Sequence, residues 1–331
     1  MKALFIGGTG TISMSITRQV AQLGWDLTII NRGNKLENVP AEVRQLTCDI
    51  NDETQILALI GTEKFDVIAD FIAFVPDQVQ RDIALFEGKC DQYIFISSAS
   101  AYQKPLSHYA ITESTPLHNP YWQYSRAKID CEELLIAQYR KTGFPVTIVR
   151  PSHTYADGSI PLSFHSSKGP WTELERMRRG KPVIIHGDGS SLWTLTHSMD
   201  FAKGFIGLMG NVHAIGEAVH ITSDESLTWN QIYESIGKAL GVVPKIAHVA
   251  TDTLVRLDPS LNGPLNGDKT HSVVFDNSKI KRLVPGFEAT IRFDQGIKQS
   301  MDVLLNTPSL QEFDPDWDAW LEKVLAISVV M

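Results

Sequence analysis

Apolar residues follow two rhythms along this chain, and their alternation predicts the fold. Lys2 to Gly7 (KALFIG) is a short apolar run, the pattern of a strand buried on both faces. Ile16 to Leu23 then repeats apolar residues at helical spacing. Strand-like runs recur at Asp26–Ile30, Val43–Thr47, Asp66–Phe71, Gln92–Ser97 and Val146–Val149. Helical runs fall between them at Thr54–Ile60, Gln78–Phe86 and Tyr124–Tyr139. This alternation predicts an α/β chain with a doubly wound parallel sheet and helices on both faces. Ligands of such sheets lie beyond the carboxyl ends of the strands. That edge carries Gly7 to Ile12, Arg32, Asp49, Phe71 to Ala73, Ser97 to Ser100 and Arg150 to His153.

After Arg150-Pro151 the alternation loosens, and residues 156–185 are rich in Gly, Ser, Pro and Arg. A smaller C-terminal substrate lobe is expected from there. Its expected strands are Val183–His186 and Ala218–Thr222, and its expected helices Trp229–Leu240, Asp252–Leu257 and Asp318–Ile327. The expected division is residues 1–155 for the sheet domain, with a return segment near 193–222, and 156–331 mainly for the second lobe. Neither an internal repeat nor a low-complexity segment interrupts it.

Composition adds bounds. The chain has 331 residues, enough for about two domains. Apolar content of 43% and charged content of 21% describe an ordinary globular protein. A net charge of -8 argues against a nucleic-acid or anionic-membrane surface. Cys48, Cys90 and Cys131 are too few and too far apart for a disulfide frame or zinc site, which points to reduced thiols and a cytoplasmic setting. No apolar run reaches membrane-spanning length, and no signal peptide is read at the start.

Three stretches carry candidate chemistry. Gly7-Gly8-Thr9-Gly10-Thr11-Ile12-Ser13 sits between a strand and a helix, the context a dinucleotide site requires. Its glycines admit a pyrophosphate close to backbone N–H groups, and the helix start adds partial positive charge. The second strand ends at Asn31-Arg32-Gly33 without the carboxylate that a free ribose 2′-hydroxyl calls for. Arg32, helped by Lys35, suits a 2′-phosphate, so NADP is expected in preference to NAD. Tyr124 and Lys128 stand one helical turn apart. An ammonium beside a phenol lowers its pKa from about 10, so Tyr124 is expected to trade a proton near neutrality.

Together these residues resemble the extended short-chain dehydrogenase/reductase family, of the NAD-dependent epimerase/dehydratase type, with its Rossmann-type sheet. Gly7-Gly8-Thr9-Gly10-Thr11-Ile12 looks like the family's cofactor turn, with Ser13 in place of its usual third glycine. Cys48-Asp49-Ile50 is similar to the segment that sets an aspartate near the adenine amine. Phe71-Ile72-Ala73 matches the loop along the cofactor. Ile96-Ser97-Ser98-Ala99-Ser100-Ala101-Tyr102 looks like the strand end bearing the catalytic serine, which alignment on Tyr102 makes Ser98. Arg150-Pro151-Ser152-His153-Thr154-Tyr155 resembles the segment beside the nicotinamide, and Gly187-Asp188-Gly189 the turn that opens the substrate lobe. The resemblance implies Ser98, Tyr124 and Lys128 as the catalytic set, with Lys128 also holding ribose hydroxyls. It implies cofactor contacts from Asn31, Ile50, Ser97, Pro151 and His153, and substrate contacts from Ser98, Ser100, His153 and Trp193. It implies also a homodimer through helices Gln78–Phe86 and Tyr124–Tyr139.

Departures from the family narrow the substrate. Ala99 and Ser100 replace the acidic pair of the dehydratases. Trp193 replaces the arginine that often holds a nucleotide-sugar diphosphate; Arg176, Arg178 and Arg179 could compensate, but a solvated basic helix end is the favoured reading, and His197 is a further pocket candidate. The expected function is an NAD(P)-dependent oxidoreductase acting on a hydroxyl or carbonyl of a sugar-like small molecule. A sugar epimerase with tightly held NAD is the alternative. A non-catalytic relative is the third, because Asn-Arg-Gly and Ser-Ser-Ala resemble chloroplast stem-loop RNA-binding proteins. Retention of the tyrosine–lysine pair and the negative charge argue for chemistry, with no nucleic acid or membrane expected as partner.

Overall fold

Seven parallel strands order the computed structural model, which describes residues 1–33 and 38–328. In the first half, strands β1 (Lys2–Ile6), β2 (Asp26–Asn31), β3 (Arg44–Thr47), β4 (Phe65–Asp70) and β5 (Cys90–Ile96) alternate with helices α1 (Ser13–Gln22), α2 (Glu53–Ile60), α3 (Pro76–Phe86) and α4 (Gln123–Thr142). The sheet order is β3-β2-β1-β4-β5, then Val146–Pro151 and Ala218–Ile221. This is the Rossmann-type, doubly wound arrangement.

Strand periodicity divides the core. Leu4 and Ile6 face an apolar layer with Ile56, Val79 and Leu135, while Ala3 and Phe5 face Ile16, Val20 and Phe205. Each fully buried aliphatic or aromatic side chain contributes about 1.5–3 kcal/mol. The strand order reverses between β1 and β4. There the Gly7 N–H donates to Ile30 and the Phe71 N–H to Ile6, both at 3.0 Å, which opens a crevice at the carboxyl edge.

Beyond residue 156 the chain adds elements that the sequence pattern did not reveal: helices Trp171–Arg178, Ser198–Leu208 and Phe293–Leu305, and strand Lys245–Val249 beside Pro182–His186. Ser198–Leu208 contains Gly204 and Gly207, which break a helical pattern. Their use is close packing, since a Cβ would lie 2.7 Å from Ile221 Cγ2 and 2.2 Å from Val284 Cγ1 respectively. Trp171, Trp193, Trp229 and Phe293 share a further core here. The last helix spans Pro315–Ser328. No helix among the described residues is long and apolar enough to cross a membrane.

Candidate active site

The glycine turn is built for close contact. Gly7 has φ +81°, and a Cβ there would lie 2.4 Å from Ile72 Cγ2. Both facts call for glycine. Ser13 does more than replace a third glycine: its hydroxyl donates to the Gly7 carbonyl at 2.9 Å and accepts the Gly10 N–H at 2.8 Å. The serine thereby fastens the turn to α1. Thr17 adds a bond to the Gly8 carbonyl at 2.8 Å.

A groove of about 460 Å³ runs from this turn along the strand ends, lined among others by Gly7, Thr9, Gly10, Asn31, Arg32, Asp49, Ile50 and Phe74. Asn31 Oδ1 accepts the Gly33 N–H at 2.8 Å, and its buried Nδ2 has no partner among the described residues. Arg32 is exposed at the rim. Asp49 Oδ1 accepts both the backbone and side-chain N–H groups of Asn51 at 2.9 Å. An orphaned amide donor, an arginine and a helix start fit the ribose and phosphate end of a dinucleotide. Lys35 lies outside the described residues. Thr11 is exposed before α1, and Ile12 packs partly into the apolar layer.

Asp70 shapes the next stretch of wall. Its buried Oδ1 accepts the N–H groups of Ile72 at 2.5 Å and Ala73 at 2.8 Å. Arg81 approaches Asp70 at 3.6 Å and bonds Asp82 at 2.6 Å and Asn51 at 2.8 Å. Burial, then the Asp70 charge, holds the Asp82 carboxyl well above the usual range.

Two expected cofactor contacts go elsewhere. Phe71 turns to the far face of the sheet and packs on Phe5 and Phe205, with ring centroids 5.4 and 5.5 Å away. It anchors the loop from behind. Ser97 is buried and donates to Glu132, which also pairs with Arg150 at 2.5 Å. Successive residues of extended backbone point opposite ways, so Ser97 faces away when Ser98 faces the ligand edge.

Ser98 caps a short 3-10 turn, Ala99–Ala101, accepting the Ser100 N–H at 3.1 Å. The Ser98 and Ser100 hydroxyls are 2.8 Å apart, and Ser125 donates to Ser100 at 2.7 Å. Tyr124 lines the same cavity as Ser98. Burial pushes the Tyr124 phenol above its ordinary pKa, Ser98 pulls it down, and the Asp268 charge pushes it up. The expected lowering by Lys128 is thus reversed in direction. Lys128 Nζ is 5.9 Å from the Tyr124 ring centroid and donates to the Ala73 and Ile96 carbonyls, each at 2.6 Å. Burial lowers its pKa to about 8. Lys128 ties the β4 loop to the end of β5 beneath the phenol.

Phe74 lines the groove and its ring centroid lies 6.4 Å from that of Tyr124, which lines the cavity. The cavity, about 270 Å³, is lined by Ser98, Ser100, Tyr124, Pro151, His153 and Trp193, with others named below. His153 Nδ1 accepts the Trp193 Nε1–H at 3.2 Å, and burial lowers its pKa to about 3, which keeps the ring neutral. His197 instead caps Ser198–Leu208, accepting the Met199 N–H at 3.3 Å. Arg176 is buried against Asp318 and Glu322 of the last helix, and Arg178 and Arg179 pair with Glu175. These arginines hold structure.

Sequence reading missed Trp122, Asp268 and Lys269 in the cavity wall. Asp268 and Lys269 belong to a π-helical turn, Leu265–Lys269, more than 140 positions from Tyr124 and without a motif. Asn119 joins the parts: its Nδ2 donates to the Ser100 carbonyl at 2.8 Å and the Gly267 carbonyl at 2.7 Å. Its Oδ1 accepts the Tyr121 N–H at 3.1 Å. Among the described residues no group of three or more His, Cys, Asp or Glu is placed to hold a metal.

Comparison with known proteins agrees with this geometry. The chain is 24% identical over 241 residues to 2′-dehydrokanamycin reductase of Streptomyces kanamyceticus, covering 73% of this chain and 67% of that one. It is 26% identical over 263 residues to the chloroplast stem-loop binding protein of 41 kDa b of Arabidopsis thaliana, covering 75% and 65%. The matches thus span about two thirds of the length of these relatives. A dTDP-glucose 4,6-dehydratase of Bacillus anthracis, solved in complex with NAD, shares the fold with a TM-score of 0.74 and 19% identity, covering 93% of this chain and 97% of that one. The family model described as the NAD dependent epimerase/dehydratase family matches residues 3–222. With the glycine turn, the crevice and the cavity that Ser98 and Tyr124 share, the chain belongs to the NAD-dependent epimerase/dehydratase family, among reductases, epimerases and dehydratases of the short-chain dehydrogenase/reductase type.

Proposed function

We propose that this protein is an NADPH-preferring reductase of a sugar-like ketone, with Ser98, Tyr124 and Lys128 as its working set. The observation that carries this reading is that Ser98 and Tyr124 line one cavity, with Phe74 of the groove against the Tyr124 ring. A bound nicotinamide supplies the hydride. Tyr124 gives its phenolic proton to the carbonyl oxygen as that oxygen gains charge. Ser98 donates a hydrogen bond to the same oxygen. Burial keeps Tyr124 protonated at neutral pH, which suits an acid in the reductive direction. Lys128 positions the loop under the cofactor and is assigned the ribose hydroxyls as well; two of its three donors are already taken by carbonyls.

Arg32 and Asn31, with no carboxylate at the end of β2, support NADP over NAD. Residues 1–155, with the strand Ala218–Ile221 that returns to the sheet, are assigned to the cofactor, and 156–331 mainly to the substrate. A homodimer through α3 and α4 belongs to the same reading, and sedimentation at working concentration tests it. The Streptomyces relative is named as a reductase, which supports the reductive direction.

The test mixes the protein with NADPH and a panel of keto-sugars and follows loss of the reduced cofactor. Net oxidation of cofactor with at least one ketone, lost in Tyr124→Phe, is the expected result. Sugar interconversion without net oxidation would assign the epimerase alternative.

A further inference from the structure

One lysine and one carboxylate line the catalytic cavity, with a second, buried lysine near the carboxylate, and the proposed chemistry uses none of them. Asp268 and Lys269 line the cavity, and Lys104 lies buried close to Asp268. The Lys104 Nζ is buried without a hydrogen-bond partner among the described residues. Lys269 contributes its backbone carbonyl to His186, Ser191 and Trp229, and its ammonium is hydrogen-bonded to none of the described residues. Neither lysine forms an ion pair with Asp268 at contact distance, although the charges of both act on its carboxyl.

The neighbourhood offers no other compensation. His153, His165 and His186 are kept neutral by burial, with the Lys269 charge adding to the effect. His271 is likewise neutral, under burial and the Lys104 charge. One carboxylate thus stands among two lysines; burial lowers the pKa of both lysines and raises that of Asp268, their opposite charges counter this, and an anionic ligand would add a counter-charge that favours the ammonium form. Trp122 and Trp193 provide aromatic faces in the same cavity, which suit a ring's C–H surface.

We propose that Lys269, with Lys104 and Asp268, forms an anion subsite in the catalytic cavity, and that the substrate carries a carboxylate or phosphate close to its reacting carbon. The inference rests on the oxidoreductase reading only for the word reacting; the binding site stands on the charge arrangement. Asp268 keeps the two lysines from repelling each other and leaves one ammonium for the ligand.

The full chain, loaded with NADP+, is titrated with D-glucuronate, D-glucose 1-phosphate and D-glucose, following tryptophan fluorescence. At least one anionic sugar should bind tenfold or more tightly than glucose. The preference should vanish in Lys269→Gln, survive in Lys269→Arg, weaken in Lys104→Met and fall with added potassium chloride. A preference for glucuronate assigns a carboxylate, and one for glucose 1-phosphate a phosphate. Equal affinity for glucose, or an unchanged preference in folded Lys269→Gln, overturns the subsite. The titration reads binding alone and involves no hydride transfer. Failure of the hydride chemistry would therefore leave this result standing, and failure of the subsite would leave the chemistry standing.

Discussion

Tyr124 is a buried phenol whose one helpful neighbour is Ser98, and this governs what single substitutions do. Tyr124→Phe removes the proton donor and leaves the groove untouched. Its kcat should fall by about 100-fold or more, with NADPH affinity within about twofold. Arg32→Ala, at the other end of the groove, should raise the KM for NADPH by about tenfold and leave that for NADH nearly unchanged. Equal losses for both cofactors would remove the 2′-phosphate assignment. Lys128 gives a pH-dependent prediction. Its native pKa is about 8, whereas the unfolded side chain titrates near 10.4. Between those values the unfolded chain binds more protons than the native one, so this group's contribution to stability grows as pH rises through the window. Urea unfolding at about pH 7.5 and about pH 9.5 should show the wild type gaining ~1–2 kcal/mol relative to Lys128→Met. No relative gain would mean that the native ammonium is not depressed.

At the level of elements, the glycine turn and the Asn119 junction set the positions of the reacting groups. Gly7→Ala places a methyl 2.4 Å from Ile72 at a positive φ, so β1, α1 and the β4 loop must shift. The expected cost is ~1–3 kcal/mol with loss of cofactor binding, read by thermal unfolding and by quenching of intrinsic fluorescence. The same elements explain what could be read from the sequence. Most sheet strands up to Val149 declared themselves because parallel strands buried on both faces are continuously apolar, whereas the exposed edge strand β3 does not follow that pattern and the short strand Ala110–Ile111 was not read. Trp229–Leu240 matched its periodicity residue for residue. Ser198–Leu208 did not, because its glycines serve packing and break the pattern. Within the candidate site, local motifs point to groups the structure also places together: the turn and Asn31-Arg32 line one groove, and Tyr124 and Lys128 lie on one helix. The direction of the Tyr124 shift was not legible, because one helical turn of separation does not say that Lys128 spends its protons on two carbonyls. The side chains of Phe71 and Ser97 pack away from the groove because a motif marks a backbone segment, while side-chain alternation decides which face each residue serves.

Across the whole molecule, buried polar groups join the sheet to its coverings. Glu132 on α4 accepts from Ser97 and pairs with Arg150, whose guanidinium also lies 4.9 Å from the Tyr102 ring. Glu132→Ala would leave that cation buried and unpaired, at a cost of ~3–5 kcal/mol. Thermal unfolding followed by circular dichroism should fall by several degrees, and an unchanged midpoint would mean the pair contributes little. Asp268 and Lys269 come from far along the chain, and no local pattern announced them, because only the folded molecule brings the π-helical turn against Ser98 and Tyr124. The account as a whole rests on one dinucleotide running from the Asn31–Arg32 rim to the tyrosine. A crystal structure of the protein with NADP+ tests this most directly. The 2′-phosphate should meet Arg32, and the nicotinamide should lie beside Tyr124 and Ser98, within reach of a carbonyl held by both hydroxyls. A nicotinamide placed away from that pair, or a dinucleotide bound outside the groove, would contradict the account.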